Sequence, residues 1–300
     1  MREELFRNCT LCPRKCNVNR LEGKRGYCGM DSTIRAARAA LHMWEEPCIS
    51  GKKGSGAVFF SGCGLRCCFC QNRDIAIGDS GKEISVERLA EIFLELQEKG
   101  AANLNLVTGA HYVPHIISAL ELARGKGMNL PVVYNSSGYE SVETIRRLDG
   151  YVDVYLPDMK YMEPELAAAF SNARDYPQAA QSAIAEMMRQ TGPCQFAEDG
   201  YIKRGTIVRH LILPGHTKNS IAVLKYLYRT YGEDIFISVM NQYTPVWKNE
   251  KFPELNRKVT RREYEKVLDA AIELGIENGY FQEGETAEES FIPAFDYEGV

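Results

Sequence analysis

The sequence predicts an α/β fold, a parallel sheet whose strands are joined by helices, preceded by a small cysteine-rich segment. Two observations carry that prediction. From residue 57 onward, short apolar runs alternate with amphipathic helical stretches, and strands separated by helices of that length pair in parallel through right-handed crossovers. The first 45 residues instead place cysteines among charges and glycines, with no apolar period.

The elements follow in order. Residues 57–61 form the first strand. Ser85 caps a helix whose Val86, Leu89, Ile92, Phe93 and Leu96 share one face, ending at Gly100. A buried strand at 103–108 leads to a helix carrying Val113, Ile116, Ile117 and Leu120. Next come a strand at 131–135, a short helix around Val142, Ile145 and Leu148, and a strand at 152–156. Helical stretches fill most of 163–191, with a break near Tyr176-Pro177. Residues 206–213 form an apolar strand, 220–231 a helix and 235–240 another strand. Thr260 with Glu263 spells a capping box for the last long helix, and 276–282 is a candidate final strand. These make six βα units and a possible seventh strand, too few for a complete eight-unit barrel. An open partial barrel and a doubly wound sheet both remain.

Composition narrows the function. The 300 residues, 45 % apolar, suffice for one large domain with a small appendage. No apolar run reaches the length of a membrane span, and the opening residues lack the apolar stretch of a signal peptide. Ten cysteines then point to a reducing cytoplasm, where thiolates bind metal. A net charge of −4 with scattered basic residues leaves no footprint for nucleic acid.

The most informative motif is Cys63-x3-Cys67-x2-Cys70. That spacing lets one loop hold three corners of an iron–sulfur cube, leaving one iron open. A zinc knuckle or reduced structural thiols are the competing readings. Cys68 directly follows Cys67, and adjacent residues rarely wrap the same cube. A second set, Cys9-x2-Cys12-x3-Cys16 with Cys28, lies in a piece too short to hold together by burial. A metal staple explains it, with zinc, a second iron–sulfur cluster and metal-free thiols all open. Polar residues gather at the strand ends: Thr108, Asn135, Asp158 and Gln242. Arg209 stands inside an apolar strand and needs an anionic partner.

The run from Ala57 to Asp74, with Phe69 before the last cysteine, resembles the cluster loop of radical S-adenosylmethionine (SAM) enzymes. It is most similar to pyruvate formate-lyase activating enzymes and their iron–sulfur homologues. The resemblance spans roughly residues 55–245 and favours a partial (βα)6 TIM-like barrel. It implies a [4Fe-4S] cluster on Cys63, Cys67 and Cys70 that binds SAM. An electron from a donor such as flavodoxin or ferredoxin would cleave SAM to a 5′-deoxyadenosyl radical that abstracts hydrogen. A glycyl radical enzyme is the implied protein substrate. Radical modification of a small molecule or another macromolecule is the alternative, and a non-catalytic iron–sulfur or zinc protein the contrasting class.

The resemblance also suggests site roles. Lys160 and Arg209 approach the SAM carboxylate, and Asp158 belongs to the same Asp-x-Lys motif. Thr108-Gly109-Ala110 stands where relatives carry Gly-Gly-Glu, so only the backbone part of that role transfers, and His111 is a candidate substitute. Asn135 and Ser137 are candidate ribose contacts, and Gln242, beside Tyr243, a candidate polar contact. Relatives with extra clusters place them after the SAM-cluster loop, so the resemblance leaves the N-terminal metal open. His115 and Cys194 are expected to be structural. The expected organisation is a metal-binding segment at 1–45, a barrel at 46–284 and a tail at 285–300 that packs on it.

Overall fold

The computed structural model describes residues 4–78, 80–246, 248–282 and 293–300. Among the described residues ten strands make the sheet: β1 (Ile34–His42), β2 (Ser55–Phe60), β3 (Lys82–Ile84), β4 (Leu104–Val107), β5 (Val132–Ser136), β6 (Val154–Pro157), β7 (Gln195–Phe196), β8 (Ile202–Leu211), β9 (Phe236–Met240) and β10 (Gly279–Phe281). Their spatial order is β10-β9-β8-β6-β5-β4-β2-β1-β3, with β7 on β8. From β2 to β10 the main strands are parallel and run in chain order. A doubly wound sheet reverses its strand order at a switch point, and this one never does. Right-handed crossovers without reversal put every helix on one face and curl the sheet into a barrel. Among the described residues the end strands β10 and β3 do not pair, so the barrel is open there. The possible seventh parallel strand is present as β10.

Local chemistry sets the helix ends. Ser85 accepts a hydrogen bond from the Arg88 N–H at the start of Val86–Glu98. Both halves of the Thr260/Glu263 capping box form before Arg261–Leu274. The break within 163–191 falls at 172–175, between Pro164–Ser171 and Tyr176–Thr191. Tyr176-Pro177 opens the second helix rather than ending the first, because proline suits a first turn whose N–H groups have no partner.

Strand β1 lies antiparallel to both β2 and β3, and the sequence reading missed it. Its residues Ile34-Arg-Ala-Ala-Arg-Ala-Ala-Leu-His are mostly alanine and arginine, which carry no strand signal. Small side chains suffice because Ala36 and Ala39 pack with Val58 and Phe60 in one cluster, and Ala37 with Ala57 and Phe59 in another. The sheet therefore begins at Ile34, before the expected boundary at residue 45. The tail returns to β1: Ala39 and Tyr297 N–H groups donate to Glu298 and Ala37 carbonyls, and Phe295 meets Phe59 edge-on. Phe291 and Ile292, expected in the same packing, lie outside the described residues.

Residues 4–33 pack behind the β2 loop with little regular structure. Phe6, Cys9 and Leu11 form a small buried cluster. Arg20 is fully buried. It donates to the carbonyls of Asp31 and His111 and lies 3.8 Å from Cys9 Sγ. Among the described residues no helix is long and apolar enough to cross a membrane.

Candidate active site

The loop after β2 is shaped by close packing. Gly62 has a φ of 92°, and an added Cβ would meet Met30 Cγ at 2.5 Å, so only glycine fits. Gly62 donates to Ile75 O, and the Cys70 N–H closes a turn on Cys67 O at 3.1 Å. Cys67 Sγ accepts from Ser171 Oγ at 3.0 Å. Arg14 holds the loop from behind, donating to Gly64 O at 2.8 Å and to Asn172 O at 2.6 Å. Cys68 does not line the cavity that Cys67 and Cys70 share: its N–H donates to Phe170 O, and its thiol meets Asn249.

Cys67 and Cys70 line a cavity of about 310 Å³ inside the barrel, together with Phe69, Asn135, Asp158, Lys160, Arg209 and Gln242. Six expected polar or aromatic contacts thus share one chamber with two of the thiols. Its core is a charged network. Lys160 Nζ is 2.5 Å from Asp158 Oδ2, and Arg209 Nε is 3.1 Å from Asp158 Oδ1. Arg209 also reaches Glu45 Oε2 at 3.0 Å and Asn135 Oδ1 at 2.6 Å. Glu45 Oε1 accepts from Asn135 and Asn105. Burial opposes the charge on Asp158, but Lys160 and Arg209 outweigh it and hold its carboxyl below the usual range. Burial likewise opposes the charge on Arg209, and Asp158 and Glu45 outweigh it.

The anion that Arg209 requires therefore comes from the protein itself. Asp158 supplies it from the end of β6 together with Glu45 from the segment after β1, and sequence reasoning missed Glu45. The one signal was a Glu-Glu pair ahead of Pro47 in a stretch with no strand pattern.

Cys63, Thr108, His111 and Ser137 face a different space. They line a void of about 20 Å³ shared with Cys12 and Cys28, on the side of the N-terminal segment. Gly109 lines neither space. His111, expected as a polar cofactor contact, is instead a packing residue. Its Nε2 lies 2.7 Å from Ser61 O, and its carbonyl accepts from Arg20. Tyr243 is buried and donates to Leu255 O.

Burial pulls the pKa of His111 down to about 3, with Arg20 adding to the shift, and burial pulls that of His210 down to about 4. An unfolded histidine titrates near about 6.5. Between those values the unfolded chain binds more protons than the folded one, so acid favours unfolding. The urea midpoint should fall as pH drops from about 6.5 toward about 4, and His111→Gln should flatten that slope.

The donor set suits an iron–sulfur group. The Cys63 thiol lies near enough to raise the pKa of Cys67, and Cys67 and Cys63 raise that of Cys70. Burial pushes Cys67 up to about 11 and Cys70 up to about 12, so without metal they are neutral thiols. Binding soft iron would displace their protons, and Lys160 beside Cys67 favours the resulting thiolate. Among the described residues no three His, Cys, Asp or Glu side chains form a single-ion site. A cube takes each thiolate at a different iron.

Fold and site together define an open βα barrel with a three-thiol loop at the mouth of an internal charged chamber. The chain belongs to the Radical SAM superfamily, whose sequence pattern matches residues 57–227. It is 30 % identical over 276 residues to an uncharacterized protein of Methanocaldococcus jannaschii, covering 90 % of this chain and 75 % of that one. It is 27 % identical over 113 residues to the pyruvate formate-lyase-activating enzyme of Clostridium pasteurianum, covering 36 % of this chain and 46 % of that enzyme. Among solved structures, Streptococcus suis SuiB matches with a TM-score of 0.45 and 13 % identity, covering 77 % of this chain and 48 % of SuiB. Native anSMEcpe with bound AdoMet matches with a TM-score of 0.48 and 12 % identity, covering 71 % and 57 %. The chain thus spans about half the length of these structures and of the activating enzyme.

Proposed function

We propose that this protein cleaves SAM reductively and directs the resulting 5′-deoxyadenosyl radical at a carbon–hydrogen bond. The observation that carries this reading is the shared chamber, where two thiols of the loop, Asp158, Lys160, Arg209 and Asn135 line one cavity. A [4Fe-4S] cluster on Cys63, Cys67 and Cys70 would supply the single electron, received from a flavodoxin or ferredoxin. The protein's residues do the rest. Lys160, whose positive charge Asp158 maintains against burial, meets the carboxylate of SAM. Arg209 and Asn135 stand on the same wall and fix the ligand's polar edge, while Phe69 packs edge-on against Phe170 and Tyr243 to shield the thiols from water. The products balance: SAM and one electron give methionine and the radical, which takes a hydrogen atom to become 5′-deoxyadenosine and leaves a substrate radical.

For the substrate, the match to an activating enzyme supports a glycine on a glycyl radical enzyme. A second reading, radical modification of a small molecule, is favoured by the floor that residues 43–50 place under the cavity. Reduced protein given SAM should yield 5′-deoxyadenosine and methionine in equal amounts. Deuterium carried into 5′-deoxyadenosine from a labelled glycyl partner would select the first substrate. Failure to cleave SAM removes the whole reading.

We also propose a metal group on Cys9, Cys12, Cys16 and Cys28, whose thiols are not gathered around a single-ion position among the described residues and would have to close on it. Arg20 is buried beside Cys9, and its hydrogen-bond partners among the described residues include no carboxylate. A buried guanidinium asks for an anion, and metal-bound thiolates are one. About four irons per chain with zinc would assign zinc there, and about eight without zinc a second cluster. Cys12→Ser together with Cys28→Ser should remove that metal and leave the loop's iron.

A further inference from the structure

The surface around the β2 loop carries cations that have no carboxylate partner among the described residues. Arg66, one residue before Cys67, is exposed and has a φ of 57°. Lys15 holds the matching place before Cys16 in the other Cys-x3-Cys loop, exposed and with a φ of 41°. Glycine or asparagine takes that left-handed conformation at less cost, yet both loops keep a basic side chain there. Tyr27 joins the two loops. Its N–H donates to Cys16 Sγ at 3.2 Å, and the guanidiniums of Arg14 and Arg66 lie 4.0 and 5.2 Å from its ring centre. Among the described residues Arg14, Lys15, Arg66 and Lys251 form no ion pair.

This face touches the thiols through residues 170–172. Ser171 Oγ donates to Cys67 Sγ, Phe170 O accepts from the Cys68 N–H, and Asn172 Nδ2 donates to the Tyr27 hydroxyl at 3.1 Å. At the other end of the same segment, Phe170 meets Phe252 edge-on at 4.7 Å, and Lys251 Nζ lies 5.2 Å from the Phe252 ring. Lys251 is exposed. None of these cations lines the chamber, so a partner seated on them leaves it clear. The chain as a whole carries a charge of −4, so a cationic face on it is a local arrangement. A second basic stretch, 257–262, already has Arg257 and Arg261 paired with Glu263 and Glu265.

We propose that this face docks an acidic one-electron carrier protein, with Arg66 and Lys251 as its contact cations and Lys15 beside them. The proposal rests on the reading above that a flavodoxin or ferredoxin supplies the electron. Electron-transfer encounters bury little area and are steered by charge. A chain of net charge −4 repels an acidic carrier overall, and the cationic face therefore orients the approach toward the thiol loop. The reduced carrier gives up one electron to the group held by that loop, and no bond forms or breaks.

The test uses the full chain, loaded anaerobically with iron and sulfide. Binding of oxidised flavodoxin, of a [2Fe-2S] ferredoxin and of cytochrome c, a basic carrier, is measured by calorimetry at low and high salt. At least one acidic carrier should bind, at least about tenfold more tightly than cytochrome c, and should weaken as salt rises. Arg66→Glu together with Lys251→Glu should weaken it by about tenfold or more. Arg66→Gly, which suits the left-handed backbone, should weaken it by a smaller factor with iron content unchanged. No preference for either acidic carrier in the unaltered protein overturns the proposal, whether or not the variants fold. Undiminished binding in the iron-loaded variants also overturns it. SAM cleavage is followed with dithionite, which needs no docking, and with reduced flavodoxin or ferredoxin, whichever binds. The variants should lose the carrier-driven rate and keep the dithionite-driven one. Dithionite-driven cleavage without charge-dependent binding sinks only the docking face, whereas binding without any cleavage sinks only the proposed function.

Discussion

Cys67→Ala is expected to reduce 5′-deoxyadenosine formation to background, and Cys63→Ala and Cys70→Ala should do the same. The expected loss exceeds the 10- to 100-fold that removal of an outer partner of a metal ligand typically costs. Ser171→Ala falls within that smaller range, because it removes only the hydroxyl that donates to Cys67 Sγ. Cys68→Ala has little effect, since that side chain faces Asn249 rather than the cavity. The graded series separates ligands from neighbours in one loop, with iron content measured beside turnover. Equal losses across all four cysteines would mean that the loop had collapsed, and the two milder variants guard against that error.

Arg209→Ala is the second large effect, and it acts on the fold as well as the chemistry. The guanidinium joins Asp158, Glu45 and Asn135 across three strands and the floor segment. Removing it leaves the buried Glu45 without a cationic partner, while Asp158 keeps only Lys160. Breaking a buried pair in this way costs about 3–5 kcal/mol. For a domain of this size the midpoint of thermal unfolding should drop by roughly 6–15 °C. Arg209→Lys keeps the charge but cannot reach three partners with one planar fork, so an intermediate drop is expected. If Arg209→Ala unfolds at the wild-type temperature while SAM cleavage is lost, the arginine serves the ligand alone and the network is incidental.

Much of this arrangement was legible in the sequence, for identifiable reasons. The parallel strands announced themselves as apolar runs between amphipathic helices, and both sequence-read caps, Ser85 and Thr260, formed. Asn135, Asp158 and Arg209 stood out as polar residues at or inside apolar strands, and they do meet. The side of the rim was not legible. Thr108, His111 and Ser137 also sit after strand ends, yet they turn toward the N-terminal segment. A strand's last residues alternate faces, and the loop geometry beyond them decides which face a side chain joins. Thr108 shows this directly, because its φ of 60° redirects the chain there. The floor was hidden for another reason. Strand β1 is built of alanine and arginine, so nothing marked residues 34–46 as part of the sheet, and Glu45 and Glu46 went unseen with it.

The central claim is that three thiols in the β2 loop hold a cluster with a place for SAM in the chamber above Glu45 and Glu46. Electron paramagnetic resonance of the reduced, iron-loaded protein, recorded with and without SAM, tests it most directly. A cluster signal that changes its g values when SAM is added, and that disappears in Cys67→Ala, is the predicted result. A cluster signal identical in the presence and absence of saturating SAM would contradict the account.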